Sequence, residues 1–347
     1  MLLTETEHPV AQSEPQQPNP AMVFEFLNRF QHSMALKGAI DLDLFTHIQE
    51  GASSPDELAI RCRASERGVR ILCDFLTITG FLSKNKGKYA LTVDSAFLLS
   101  KRSPGYMGSI AQFLVSEDSV KSFRNVAGAV RKGGTLDVVD GAMAPESEVW
   151  VNFAKSMHPI AAFSSRLMAP IVSQPGRQIK VLDIAAGHGL FGIGVAQHNP
   201  AAQIYALDWA NVLKVAAENA EMAGVADRFH MIPGSAFDVE MGSGYDLVLL
   251  PNLLHHFNKT ENVALLRKIR AAMNPGGTVA TLEFVPNEDR VSPPIPAAFS
   301  LIMLMRTDGG DAYTFRELDE MFRTAGFGGS RMQDLAPSPQ QLILTSR

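Results

Sequence analysis

The chain has 347 residues, 46% of them hydrophobic and 19% charged, with a formal net charge of −5. That length suits two domains better than one core, and an acidic balance lacks the clustered Lys and Arg that neutralise phosphates, so nucleic acid is not an expected partner. Cys62 and Cys73 are the two cysteines. Both fall in apolar helical stretches and read as free thiols in a reducing compartment. No Cys/His group has zinc spacing, so no metal is expected. No leader peptide and no apolar run of ~20 residues is present, which points to a cytoplasmic protein with no membrane partner.

Residues 1–20, rich in Pro, Gln and Glu, read as a disordered tail. From Met22 a helical stripe begins with Phe24, Phe26, Leu27, Phe30 and Met34. Ser54-Pro55-Asp56-Glu57 forms a capping box that opens a short helix reaching about Cys62. A second helix starts near Ser65, carries Val69, Leu72, Cys73 and Leu76 on one face, and stops at Gly80. Phe81-Leu82, a turn over residues 84–88, and Tyr89-Ala90-Leu91 read as a hairpin. Helix, helix, hairpin is a winged-helix pattern, assigned to residues 21–105. Between Asp56 and Lys88 there are seven Lys/Arg against four Asp/Glu. So small an excess fits a dimerisation module with a solvated charged face better than a DNA reader.

Residues 106–175 read as a helical linker that contributes to a substrate pocket. Met157 and Phe163 are its substrate-facing candidates, since such side chains adapt to flat organic ligands; the alternative is ordinary helix packing. From residue 176 to 347, strands alternate with helices. The strands are Ile179–Ile184, Gln203–Asp208, Phe229–Ile232, Tyr245–Leu250, Thr278–Glu283 and Gln341–Thr345. Helices fall near 190–198, 210–223 and 260–273, and another opens on the capping box Thr314-Phe315-Arg316-Glu317. This is an α/β chain with a parallel, Rossmann-like sheet covered on both faces.

The first strand runs into Ala185-Ala186-Gly187-His188-Gly189, a turn that lets backbone approach a ligand. Asp208, 25 residues beyond Asp183 (208 − 183), ends the second strand, where an acid accepts hydrogen bonds from ribose hydroxyls. Gly187, Gly189 and Gly192 formally spell a dinucleotide fingerprint. However, an acid at the end of the first strand suits a cationic amino-acid ligand better than a pyrophosphate.

With these motifs in order, residues 177–285 resemble a class I S-adenosylmethionine-dependent methyltransferase. Residues 22–345 resemble the plant-caffeate-type O-methyltransferase family and its bacterial branch, which carries a winged-helix-like dimerisation domain ahead of the catalytic one. The resemblance implies S-adenosyl-L-methionine as donor, S-adenosyl-L-homocysteine as product, a small-molecule acceptor and a homodimer. Asp183, Gly187 and Gly189 match the family's first motif, D-x-G-x-G-x-G, with Ala185 in place of its first Gly. Asp208 matches the ribose acid, with Trp209 beside the adenosine. Gly234-Ser235-Ala236-Phe237 matches the adenine turn, where Ser235 replaces an acid and Phe237 would pack on the base.

His255, in Pro251-Asn252-Leu253-Leu254-His255-His256-Phe257, matches the family's general base. Glu283, 28 residues on (283 − 255), matches the partner that orients it. A phenol with pKa about 10 is scarcely ionised at neutral pH, an imidazole can take its proton during attack, and a carboxylate on the other ring nitrogen fixes the tautomer. His256 reads as a supporting residue. Two departures stand out: Ala312 occupies the place of a second Glu, and Pro251 that of a lysine. Either His255 is held from one side only, or Asp311 or Tyr313 takes over from the lost Glu. Pro294 to Met305 reads as a lid that brings Phe299, Met303 and Met305 to the acceptor, with Tyr313 as a further acceptor-side candidate. The expected reaction is O-methylation of a phenolic hydroxyl on a secondary-metabolite-like molecule. The alternatives are C- or N-methylation, a donor-binding winged-helix DNA regulator, and an NAD-dependent oxidoreductase.

Overall fold

A computed structural model describes residues 18–136 and 146–347. The expected tail thus lies outside the described residues up to residue 17, as do residues 137–145 of the expected linker. The chain divides into two compact units between Ala96 and Phe97.

The first unit begins with a helix at Pro20–Asp41, two residues ahead of the apolar stripe because Asn19 caps it by accepting from the Ala21 N–H at 3.1 Å. Short helices at Leu44–Gln49, Pro55–Cys62 and Glu66–Ile78 follow. At the second of these, the capping box closes as read, the Ser54 N–H donating to Glu57 Oε2 at 3.1 Å. Strands β1 (Leu82–Asn85) and β2 (Lys88–Leu91) pair antiparallel. Lys86 and Gly87, at φ 47° and 80°, make the two-residue turn that suits the twist of a hairpin. Leu58, Val69, Cys73, Leu76 and Tyr89 are buried together in this unit.

The second unit is built on seven strands: β3 (Ile179–Ile184), β4 (Ala202–Asp208), β5 (Phe229–Pro233), β6 (Tyr245–Pro251), β7 (Met273–Glu283), β8 (Ser330–Asp334) and β9 (Gln341–Ser346). Their order is β5-β4-β3-β6-β7-β9-β8. The first five run parallel, but β9 pairs antiparallel with both β7 and β8. The sheet is therefore mixed rather than wholly parallel, because the chain returns from β8 to β9 without a crossover helix. On one face, Phe191, Leu213 and Met168 pack with Val181 and Leu249; on the other, Leu265, Leu318 and Phe322 pack with Leu182 and Val248. Burial on both faces explains why β3 and β6 are nearly continuous apolar runs. Residues 294–305, read from sequence as a lid without assigned secondary structure, belong to a helix, Pro294–Arg306. The strand expected at Thr278–Glu283 begins earlier, β7 taking in residues 273–277 as well.

Candidate active site

Strand order reverses between β3 and β6, and the crevice outside the carboxyl ends of such strands is where ligands of open α/β sheets bind. The register sets Ile184 beside Leu207 and Pro251 beside Leu282, so Asp183, Asp208, residue 251 onward and Glu283 emerge at one end of the sheet.

The turn after β3 takes left-handed backbone at Ala185, Gly187 and Gly189, with φ 54°, 58° and 73°. At Gly189 a Cβ would lie 2.9 Å from that of Ala216, so the turn is pressed onto the helix Ala210–Met222. Ala185 pays a steric cost that the family's usual glycine avoids, about 1–2 kcal/mol, partly offset by the extra freedom a glycine has when unfolded. Ala185→Gly is expected to stabilise the protein by about 0.5–1 kcal/mol, read as a small rise in melting temperature; a fall would show that the left-handed conformation is not adopted in solution.

Asp183 is fully buried under this turn. Its Oδ2 accepts from the Gly192 N–H at 3.0 Å, while Oδ1 has no partner. Burial pushes its carboxyl up to about 8, so in the ligand-free chain it holds a proton at neutral pH. This tempers the charge argument made from sequence: Asp183 becomes an anion when a cation arrives to pair with it. Asp208, raised by burial to about 6, accepts from the Gly187 N–H at 2.8 Å and from the Trp209 N–H at 2.7 Å. It thereby ties the tip of β4 to the glycine turn, and each carboxylate oxygen keeps a further lone pair for a ligand hydroxyl. Ser235 and Phe237 sit just beyond β5. The Ser235 hydroxyl accepts from the Phe237 N–H at 3.2 Å, and the exposed Phe237 ring meets Phe257 edge-on at 4.9 Å. An unpartnered buried carboxyl, a left-handed glycine turn, a carboxylate at a strand tip and an exposed aromatic face together fit the ammonium, main chain, ribose and base of an aminoacyl nucleoside.

Beyond β6, residues 254–256 form one 3-10 turn. His255 and Glu283 are both buried, and His255 Nδ1 lies 2.6 Å from Glu283 Oε2. Glu283 Oε1 accepts from the Leu254 N–H at 2.9 Å and more weakly from the His255 N–H at 3.4 Å. One carboxylate therefore fixes both the imidazole and the backbone that carries it, and Nε2 is the ring atom directed away from it. The Phe299 ring meets His255 edge-on at 4.9 Å and stacks on Phe284 at 4.3 Å. His256 meets Trp150 edge-on at 5.7 Å; its imidazole is held neutral, well below the usual range, by burial and then by the neighbouring His255 and Arg306.

The other candidates are less uniform. Met157 joins the helices Glu148–Ser156 and His158–Val172 and is half-buried; Phe163 is exposed on the second of these. Met303 and Met305 are buried on the inner side of the helix Pro294–Arg306. Tyr313 is buried, its hydroxyl donating to the Phe257 carbonyl at 2.6 Å, and Asp311 pairs with Arg290 at 3.1 Å. Sequence reading missed Trp150, which, like Trp209, packs against the cluster of Val151, Ala154, Val212 and Val215 and also meets His256. Being one of only two tryptophans was the available signal. Among the described residues no group of three His, Cys, Asp or Glu side chains is placed to hold a metal, and no helix is long and apolar enough to cross a membrane.

The fold and the residues at its carboxyl edge define a Rossmann-like methyltransferase. Residues 172–328 match the O-methyltransferase domain and residues 24–101 the O-methyltransferase dimerisation domain. A solved protein from Nostoc punctiforme, assigned as an O-methyltransferase, shares 48% identity with a TM-score of 0.91, over 96% of this chain and 100% of its own. The 3-hydroxy-5-methyl-1-naphthoate 3-O-methyltransferase of Streptomyces sahachiroi is 26% identical over 88% of this chain and 89% of its own. The L-tyrosine C(3)-methyltransferase of Streptomyces lavendulae is also 26% identical, over 90% and 86%. The chain belongs to the O-methyltransferase family and is an S-adenosylmethionine-dependent methyltransferase; solved proteins of this fold hold that donor or its product.

Proposed function

We propose that this enzyme methylates a phenolic hydroxyl of a small, secondary-metabolite-like aromatic molecule, with His255 as general base. The observation that carries the reading is the buried 2.6 Å contact between His255 Nδ1 and Glu283, which directs Nε2 away from the carboxylate. Asp183, Gly187, Asp208, Trp209, Ser235 and Phe237 would hold S-adenosylmethionine. When bound, the donor supplies an electrophilic methyl group on a cationic sulfur. His255 Nε2 then takes the phenolic proton as the oxygen attacks. Glu283 keeps the tautomer that leaves Nε2 able to accept, and stabilises the imidazolium that results. Phe299, Phe284 and Trp150 are flat apolar surfaces on which an aromatic acceptor would be oriented, with Met157 and Phe163 completing the wall.

The tyrosine-methylating relative favours a second reading, methylation at carbon. Removing a phenol's proton activates its ortho carbon as well as its oxygen, so the same base serves both and the acceptor class is unchanged. A mass-spectrometric screen with methyl-labelled donor against phenols, amines and polyketides tests the proposal. Labelled phenols, unreactive once their hydroxyl is blocked, are expected; turnover of amines alone would contradict it.

A homodimer is part of the same proposal. On the helix Pro20–Asp41, Phe24, Phe26, Leu27 and Phe30 are 65–73% exposed, a cluster of large apolar side chains that a second copy of the chain would cover. Sedimentation should give twice the 37.7 kDa chain mass, and Phe30→Glu should shift the protein toward the monomer. A wild-type monomer would refute this arrangement.

A further inference from the structure

Ala312 leaves His255 with one carboxylate, yet the segment that carries Ala312 still grips the turn on which His255 sits. We propose that Tyr313 and Asn262 are positioning residues that hold residues 254–257, and with them the His255 imidazole, in line with Glu283. The proposal rests on the reading of His255 as base.

Asn262 is fully buried in the helix Lys259–Ala272, and its Nδ2 donates to the Leu254 carbonyl at 2.8 Å and to the Phe257 carbonyl at 3.1 Å. Two carbonyl acceptors require the amide nitrogen on that side, which fixes the orientation of the group. Its Oδ1 has no partner, a desolvation cost that the two carbonyl bonds offset. The Tyr313 hydroxyl donates to the same Phe257 carbonyl at 2.6 Å. Between them, the main chain at Gly310 lies so close that a Cβ there would stand 2.1 Å from the His255 carbonyl oxygen. On the opposite side Glu283 Oε1 takes the Leu254 and His255 N–H groups. A single 3-10 turn has no helix of its own to keep its shape. Here both its N–H and C=O ends are secured from outside, so the backbone supplies precision that a second carboxylate would otherwise give the ring.

A far-downfield proton resonance is expected for the His255–Glu283 contact by NMR on the full chain without acceptor, and His255→Gln should assign it by its loss. Tyr313→Phe keeps the buried ring and removes only the hydroxyl. It is expected to move or broaden that resonance and to lower kcat by about tenfold or more on a phenol that wild type methylates, with KM for S-adenosylmethionine within about twofold. Asn262→Ser should do the same more strongly. If Tyr313→Phe retains both the resonance and kcat, the proposal is overturned. If instead His255→Gln keeps wild-type kcat, the base reading fails, and the resonance alone then decides whether Tyr313 and Asn262 position the ring.

Discussion

Replacing His255 with Gln should lower kcat by about two to four orders of magnitude while leaving S-adenosylmethionine binding intact. Gln keeps much of the volume and can still donate to Glu283, so the packing against Phe299 survives while the proton acceptor is gone. The deficit should shrink as pH rises toward 10, or with a phenol of lower pKa, because an acceptor that is already ionised needs no base. Single-turnover methyl transfer measures this. A rate within about threefold of wild type at pH 7 would mean that His255 does not take the proton.

Donor affinity should rise with pH, and binding should release protons near neutrality. Asp183 and Asp208 are raised by burial to about 8 and about 6. In the ligand-free protein, groups raised above their unfolded values favour folding most at low pH, and that contribution is lost as pH climbs from about 4 through about 8. The ligand-free melting temperature should therefore receive a falling contribution from these two groups over that window. An ammonium beside Asp183 and ribose hydroxyls on Asp208 favour the carboxylates, so the bound state lowers both pKa values. Where one proton is released, affinity gains up to about tenfold per pH unit between roughly 6 and 8. Calorimetry with S-adenosylhomocysteine in buffers of different ionisation enthalpy counts those protons. Asp183→Asn should remove the upper part of the slope, and an affinity independent of pH in the wild type would contradict the assignment of both acids.

How much of this was legible in the sequence follows from where the signal came from. The strands β3 and β6 announced themselves as largely buried apolar runs and β4 by its alternation ending in an acid, and the capping boxes at Ser54 and Thr314 closed as their side chains required. Strand β8 was not legible: Ser330–Asp334 is an edge strand with no buried residue, so its sequence carries no apolar alternation. The helix Pro294–Arg306 was obscured by its prolines, which lie in the first turn, where the missing N–H costs nothing. At the site, the intervals from Asp183 to Asp208 and from His255 to Glu283 could be read because each pair ends neighbouring strands. The grip of Asn262 and Tyr313 on the turn could not, because it joins side chains to main-chain carbonyls, which no residue type announces. The proton held by Asp183 was invisible for a related reason: burial, not sequence neighbours, sets it.

The most direct test of the account is a crystal structure of the protein with S-adenosylhomocysteine and a phenolic acceptor. The ribose hydroxyls are expected within hydrogen-bonding distance of Asp208, and the acceptor oxygen beside His255 Nε2, between that nitrogen and the sulfur. Adenosine bound away from the tip of β4, or a His255 ring with no path to the acceptor, would contradict it.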